Sequence, residues 1–178
     1  MGTQEQRTYS RISTHIQAWA RKMNPEEPGP LFRSGSCAWV QEQAPALKDS
    51  SLPEGLRSFL ESINSKLDTL LSLSSKQVLQ GDFPLKLQVV ELSAAGLKCL
   101  RPAEDLREGD QLEAILVLTQ FPVNLAGVIG RILRFEKKGE QEILALEFNQ
   151  VRQSDREKIV QFVFREQREQ IRTLKDDD

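Results

Sequence analysis

The apolar residues of this chain change their spacing at Gly81, and that change constrains the fold more than any other feature. Between positions 51 and 81, Leu56, Leu60, Ile63, Leu67 and Leu70 follow one another at steps of four, three, four and three. A 3.5-residue repeat is the seam of a coiled coil, so a helix is expected over residues 52–80. Ser51 and Glu54 form an S-x-x-E capping box at its start, and Gly81 offers a left-handed stop at its end. Such a helix is on the order of 40 Å long at ~1.5 Å per residue, too long for one small domain to cover. Phe59, Leu71 and Leu73 widen the seam. With Leu60 and Leu67 at position a, Ile63 and Leu70 fall at d, a pattern that disfavours dimers and favours larger bundles. The seam residues therefore predict a homo-oligomer, with a tetramer as the expected state. The competing arrangement folds the stripe back onto the rest of the chain.

Downstream of Gly81 the period is two. Leu85, Leu87 and Val89 alternate with Lys86 and Gln88 in a strand that reaches Glu91; a turn spans residues 93–96, and Leu97, Cys99 and Leu100 begin the return. REGDQ turns the chain into LEAILVLTQF, where Leu112, Ala114, Leu116 and Leu118 share one face. GVIGRILRFEK and EILALEFNQV are two further β-rich runs, joined through KKGEQ. Upstream, ISTHIQAWARKM reads as one strand over residues 12–23, carried by Ile12, Ile16, Ala18 and Ala20. Short strands at regular spacing with turns between them predict a mainly β chain closed into an antiparallel barrel.

Two segments stand outside that barrel. Residues 24–51 are rich in Pro, Gly, Ser and charge and read as a linker, in which Trp39 and Val40 have no legible partner. At the other end Ser154 and Glu157 form a second capping box, and Ile159, Phe162 and Val163 give a C-terminal helix its apolar stripe. The expected organisation is thus a barrel and closing helix from residues 1–23 and 82–178, a linker over 24–51, and a coiled-coil helix over 52–81.

Composition excludes several functions. The chain of 178 residues has 24 basic and 26 acidic side chains, a formal net charge of −2. Non-specific binding to duplex nucleic acid draws on a basic excess that this balance does not provide. No apolar run reaches the ~18 residues of a membrane span, and the first residues lack a secretory apolar core. Gly2 is not followed at Arg7 by the Ser or Thr that myristoylation expects. Cys37 and Cys99 are too far apart for a metal-spaced set, so no metal or cofactor is expected, and with no export signal a reduced, cytoplasmic setting is the default. His15 is the single histidine, and no nucleophile–base pair can be named, so an enzyme is not expected.

Two short patterns remain. Arg7-Thr-Tyr-Ser-Arg11 precedes the first strand, and Glu91-Leu-Ser93-Ala-Ala-Gly96 ends the strand after the helix. An R-x-x-x-R segment before a barrel, followed by D/N-x-S-x-x-G on a barrel strand, resembles the PilZ domain family, receptors for the dinucleotide cyclic di-GMP. The resemblance extends to REGDQLEAILVL, GRILRFE, LALEF and the closing helix, and it implies a PilZ-type barrel. It also implies that Arg7, Arg11, Glu91, Ser93 and Gly96 bind cyclic di-GMP, with no chemistry performed on it. The residue types suit the ligand. A guanidinium fork matches a phosphate or the O6/N7 edge of guanine, a carboxylate can accept from guanine N–H groups, and glycine admits a close backbone approach. Glu91 stands where the family has Asp or Asn. A long helical insertion with heptad leucines resembles a tetrameric subgroup of the family. Removing residues 24–81 from the 80 positions between Arg11 and Glu91 leaves 22, the length of an ordinary hairpin. The expected function is a receptor that signals to a protein target not identified by the sequence. The alternative is an oligomeric adaptor that keeps the barrel without binding the nucleotide.

Overall fold

Alternation turns every second side chain of a strand inward, and seven strands of this chain use it to enclose one core. The computed structural model describes residues 10–24, 53–120 and 123–176. Arg7, the segment with Trp39 and Val40, and Ser51 of the first capping box lie outside them. The elements are β1 (Arg11–Ser13), β2 (Gln17–Lys22), α1 (Glu54–Asp82), β3 (Leu85–Ser93), β4 (Gly96–Leu100), β5 (Gln111–Gln120), β6 (Val123–Lys138), β7 (Gln141–Val151) and α2 (Gln153–Asp176). All pairings are antiparallel, in the order β1-β3-β2-β5-β6-β7-β4, and a further β3–β4 pairing closes a six-stranded barrel. The chain is therefore mainly β, with a helix inserted after the first strand and another at its end.

The strand expected over 12–23 is interrupted. Residues 14–16 leave the extended ladder, yet β1 and β2 both run antiparallel along β3, Ile12 opposite Leu92 and Ala18 opposite Leu87. They act as one broken strand, and α1 follows it. Ile12, Ala18, Leu87, Leu92, Leu112, Leu116, Ile132 and Leu144 fill the interior, joined by Ile159, Phe162 and Val163 from α2. Burial of a side chain of this size contributes about 2 kcal/mol, enough for three of them to fix α2 on the barrel. Gly109 and Gly139 adopt positive φ at the turns before β5 and between β6 and β7, as the REGDQ and KKGEQ turns require.

Both helix ends differ from expectation in detail. Gly81 is not a left-handed stop: α1 runs through it to Asp82, and Gly81 is absent from the positive-φ glycines of the described residues. The helix ends because Phe83 precedes Pro84, which disfavours helical backbone, and because Phe83 is buried. It packs with Trp19, Ile115 and Leu125 in a cluster on the outer face of β2, β5 and β6, which anchors the foot of α1. At its start, the Pro53 carbonyl accepts from Arg57 N–H and so closes the first helical turn. In α2, Ser154 is not the cap. The Arg152 carbonyl accepts from Arg156 N–H, which places Ser154 inside the first turn, and Glu157 accepts from the Gln153 side chain instead.

Candidate ligand-binding cleft

The register of the barrel brings the two sequence patterns into one row. Arg11 pairs with Ser93 across β1 and β3, Ser93 with Gly96 across β3 and β4, Gly96 with Glu147 across β4 and β7, and Glu147 with Arg131 across β7 and β6. The next row on the same face runs from Glu91 to Lys98, Ala145 and Arg134. The middle of both rows is occupied by small residues, Gly96 and Ala145, while charged side chains stand on either side. That alternation of height opens a cleft of about 150 Å³ with Arg11, Glu91, Gly96, Lys98, Arg134 and Glu147 among its lining.

Each wall is electrostatically paired. Arg11 and Glu91 are diagonal neighbours across the ladder, a spacing that long side chains can bridge, and their charged groups lie 3.5 Å apart. On β6 Glu136 accepts from Arg134 at 2.6 Å and, across the gap above Ala145, from Lys98 at 2.9 Å. The Lys98 ammonium first, and then the Arg134 guanidinium, hold the Glu136 carboxyl below the usual carboxylate range. An arriving anion must take these cations from their carboxylates. A bulge in the β6–β7 register between Ile132 and Arg134 accompanies the outward placement of Leu133, which adds an exposed apolar side chain to the cleft.

The turn at the end of β3 is held by its serine. Ser93 Oγ accepts from the amides of Ala95 and Gly96 and donates to the Gly96 carbonyl. Ser93 is buried, so its hydroxyl shapes the turn from beneath. Gly96 is required by close approach: a Cβ there would meet the Leu146 carbonyl oxygen on β7.

Of the five residues expected to bind the ligand, four are therefore drawn together, and Arg7 lies outside the described residues. Lys98, Arg134, Glu147, Ala145 and Leu133 were not expected. A signal for Lys98 existed, since it stands two positions after Gly96 and so on the same strand face. The β6 and β7 contributions depend on register, which the sequence does not display. A second cavity, of about 380 Å³, lies at the start of α2, with Glu113, Asn149, Arg152, Asp155 and Arg156 in its lining. Glu113 is paired there with Arg21 across β2 and β5 at 2.7 Å, both side chains being almost fully buried.

Other features bear on chemistry. His15 is exposed in the break between β1 and β2. Burial pushes the Cys99 thiol up to about 12, where it is not a nucleophile near neutrality. Among the described residues no group of His, Cys, Asp and Glu is placed to hold a metal ion, and no helix is long and apolar enough to cross a membrane. On α1 the seam faces outward: Phe59, Leu67 and Leu70 are 61%, 51% and 62% exposed, Leu56 and Ile63 are exposed as well, and Leu60 is half-buried.

The PilZ domain family model matches residues 70–165. No curated protein matches the sequence. Among solved structures, a tetrameric PilZ domain protein of Xanthomonas campestris, self-assembled through a helical bundle, is similar with a TM-score of 0.51 at 20% identity, covering 92% of this chain and 89% of that one. YcgR of Escherichia coli in complex with c-di-GMP gives a TM-score of 0.55 at 12% identity, covering 97% of this chain and 51% of that one. The inhibitor of motility of Bacillus subtilis gives 0.51 at 11% identity, covering 92% and 51%. The chain thus spans about half the length of these last two proteins.

Proposed function

The chain belongs to the PilZ domain family, and on that footing we propose that it is a cytoplasmic, non-enzymatic receptor for cyclic di-GMP that signals through protein contacts. One observation carries this reading: Arg11, 80 positions from Glu91, lies 3.5 Å from it and opposite Ser93 in the ladder. The motif halves thus share one cleft. In the receptor, Arg11 leaves Glu91 for a phosphate or for the O6/N7 edge of guanine, and Glu91 accepts from the guanine N–H groups. Gly96 and Ala145 give a flat floor, Ser93 keeps the turn in shape, and Lys98 and Arg134 supply positive charge on either side of Ala145. Arg7, outside the described residues, is the motif's other arginine and belongs to the same proposal.

Self-association through α1 belongs to the same proposal. Exposed apolar side chains at heptad spacing have another copy of the same helix as their natural cover. The Xanthomonas campestris protein, whose helical bundle forms a tetramer, supports four copies as the assembly.

The Arg11–Glu91 pair also favours a second reading, an oligomeric adaptor in which Glu91 holds Arg11 permanently and no nucleotide binds. Titration calorimetry with cyclic di-GMP separates the two. The receptor gives a saturable heat that Arg11→Ala lowers in affinity by about ten- to a hundredfold, the worth of a charge-assisted hydrogen bond. Absence of heat from the wild type at high micromolar nucleotide would establish the adaptor.

A further inference from the structure

The turn that carries Ser93 and Gly96 is not held by its own strands alone. Ser93 Oγ satisfies the amides of Ala95 and Gly96, and the Ala95 carbonyl accepts from Phe148 N–H on β7 at 2.8 Å. The remaining turn carbonyl, that of Ala94, accepts from Arg156 Nη1 at 2.9 Å, across 62 positions of sequence. Ala94 is buried, and a buried carbonyl needs a partner. The donor comes from the first turn of α2, where the Arg156 amide is itself bonded to the Arg152 carbonyl. Its backbone is thus fixed by the helix, and α2 is fixed on the barrel by Ile159, Phe162 and Val163.

From this geometry we propose that Arg156 is a positioning residue of the ligand cleft, acting through the Ala94 carbonyl. It sets the height of the β3–β4 turn, and with it Ser93 and the Gly96 floor. Arg156 is not among the residues lining the cleft, so its effect is exerted through backbone placement and not through contact with the ligand. The same bond makes the seating of α2 and the shape of the cleft depend on one another. The consequence for affinity rests on the nucleotide reading above; the hold on the turn does not.

The test uses the full chain with Arg156→Ala and Arg156→Lys, each checked for an intact fold by urea denaturation. In the ligand-free protein, Arg156→Ala is expected to displace the amide resonances of Ala95 and Gly96 and to speed their hydrogen exchange, while amides of the β2–β3 ladder around Ala18 and Leu87 stay unchanged. Arg156→Lys, which keeps a cationic donor on a long stem, restores much of the wild-type pattern. By calorimetry, Arg156→Ala weakens cyclic di-GMP by about tenfold at an unchanged number of sites, and Arg156→Lys recovers most of that loss. A purely structural role would lower the urea midpoint and leave both the turn amides and the affinity of the folded protein as they were. That result overturns the proposal. Should the wild type bind no nucleotide, the receptor reading fails by itself, and the Ala95 and Gly96 amides still decide whether Arg156 shapes the cleft.

Discussion

Arg11 stands directly opposite Ser93 in the β1–β3 ladder, and the same row continues through Gly96 to Glu147. Ladder geometry, and not a flexible side-chain encounter, therefore brings the N-terminal arginine to the serine–glycine turn. Residues opposite one another on antiparallel strands have Cβ atoms about 5 Å apart whatever loop joins them. An insertion of any length between β2 and β3 leaves that distance unchanged, which is why the long helix can be accommodated without dismantling the cleft.

Gly96 tolerates no side chain. In Gly96→Ala the new methyl meets the Leu146 carbonyl oxygen on β7, and the obstacle is backbone in a closed barrel. A loss of about 1–3 kcal/mol is expected, the usual cost of overpacking, read as a lower urea midpoint at unchanged slope.

Glu136 competes with anions for Lys98 and Arg134. Replacing it in Glu136→Gln frees two cations of the cleft and removes a negative charge beside them. One such charge at a wet surface is worth about 1 kcal/mol, so cyclic di-GMP affinity should rise roughly fivefold and its salt dependence should steepen. Calorimetry at two ionic strengths checks both.

The α1 seam is exposed in a single chain, so polar replacements on it leave the barrel intact. Leu67→Asp combined with Leu70→Asp places carboxylates on the most exposed part of the stripe. Sedimentation equilibrium should move from an oligomer to the mass of one chain, with the β-sheet circular dichroism unchanged. A wild type that is already monomeric at tens of micromolar would remove the basis for the bundle.

Asp155 is buried in the first turn of α2, and burial raises its carboxyl above the ordinary range against the opposing pull of Lys158 and Arg152. The folded state then holds this proton more tightly than the unfolded one. Its contribution to stability is present below the ordinary carboxylate range and is lost as pH rises through the raised folded value. Asp110 and Glu136 have lowered values, led by their hydrogen bonds to Lys22 and Lys98, and contribute in the opposite sense: their stability is present above that range and lost on acidification. Asp155→Asn removes one titration only, so its stability relative to wild type should improve as pH rises above the ordinary carboxylate range.

Cys99 lies on β4 inside the barrel, fully buried, with its thiol pushed up to about 12. Thiolate is the alkylating species, and at pH 8 only on the order of one molecule in ten thousand carries it. Iodoacetamide should modify Cys99 only after unfolding, as peptide mass spectrometry would show by separating it from Cys37.

The barrel was legible in the chain because half-buried strands write their inside and outside as alternation. Leu85, Leu87 and Val89 face inward as read, and so do Leu112, Ala114, Leu116 and Leu118. The long helix was legible for the same reason at another period, though its end was not: Gly81 looked like a stop, whereas the burial of Phe83 and the following Pro84 ended the helix. A break at residues 14–16 and the true start of α2 at Gln153 also escaped, since both depend on which partner a short segment finds.

By itself, the sequence determined which residues face inward, where the period changes and where the two halves of the arginine and serine–glycine pattern stand, because periodicity and motif identity are local properties of the chain. Tertiary structure alone decided that Lys98, Arg134 and Glu147 share the cleft with Arg11, and that Arg156 holds the turn beneath it. Register and helix docking bring together residues far apart in the chain. Hydrogen bonding between strands selects that register only once every strand has its neighbour.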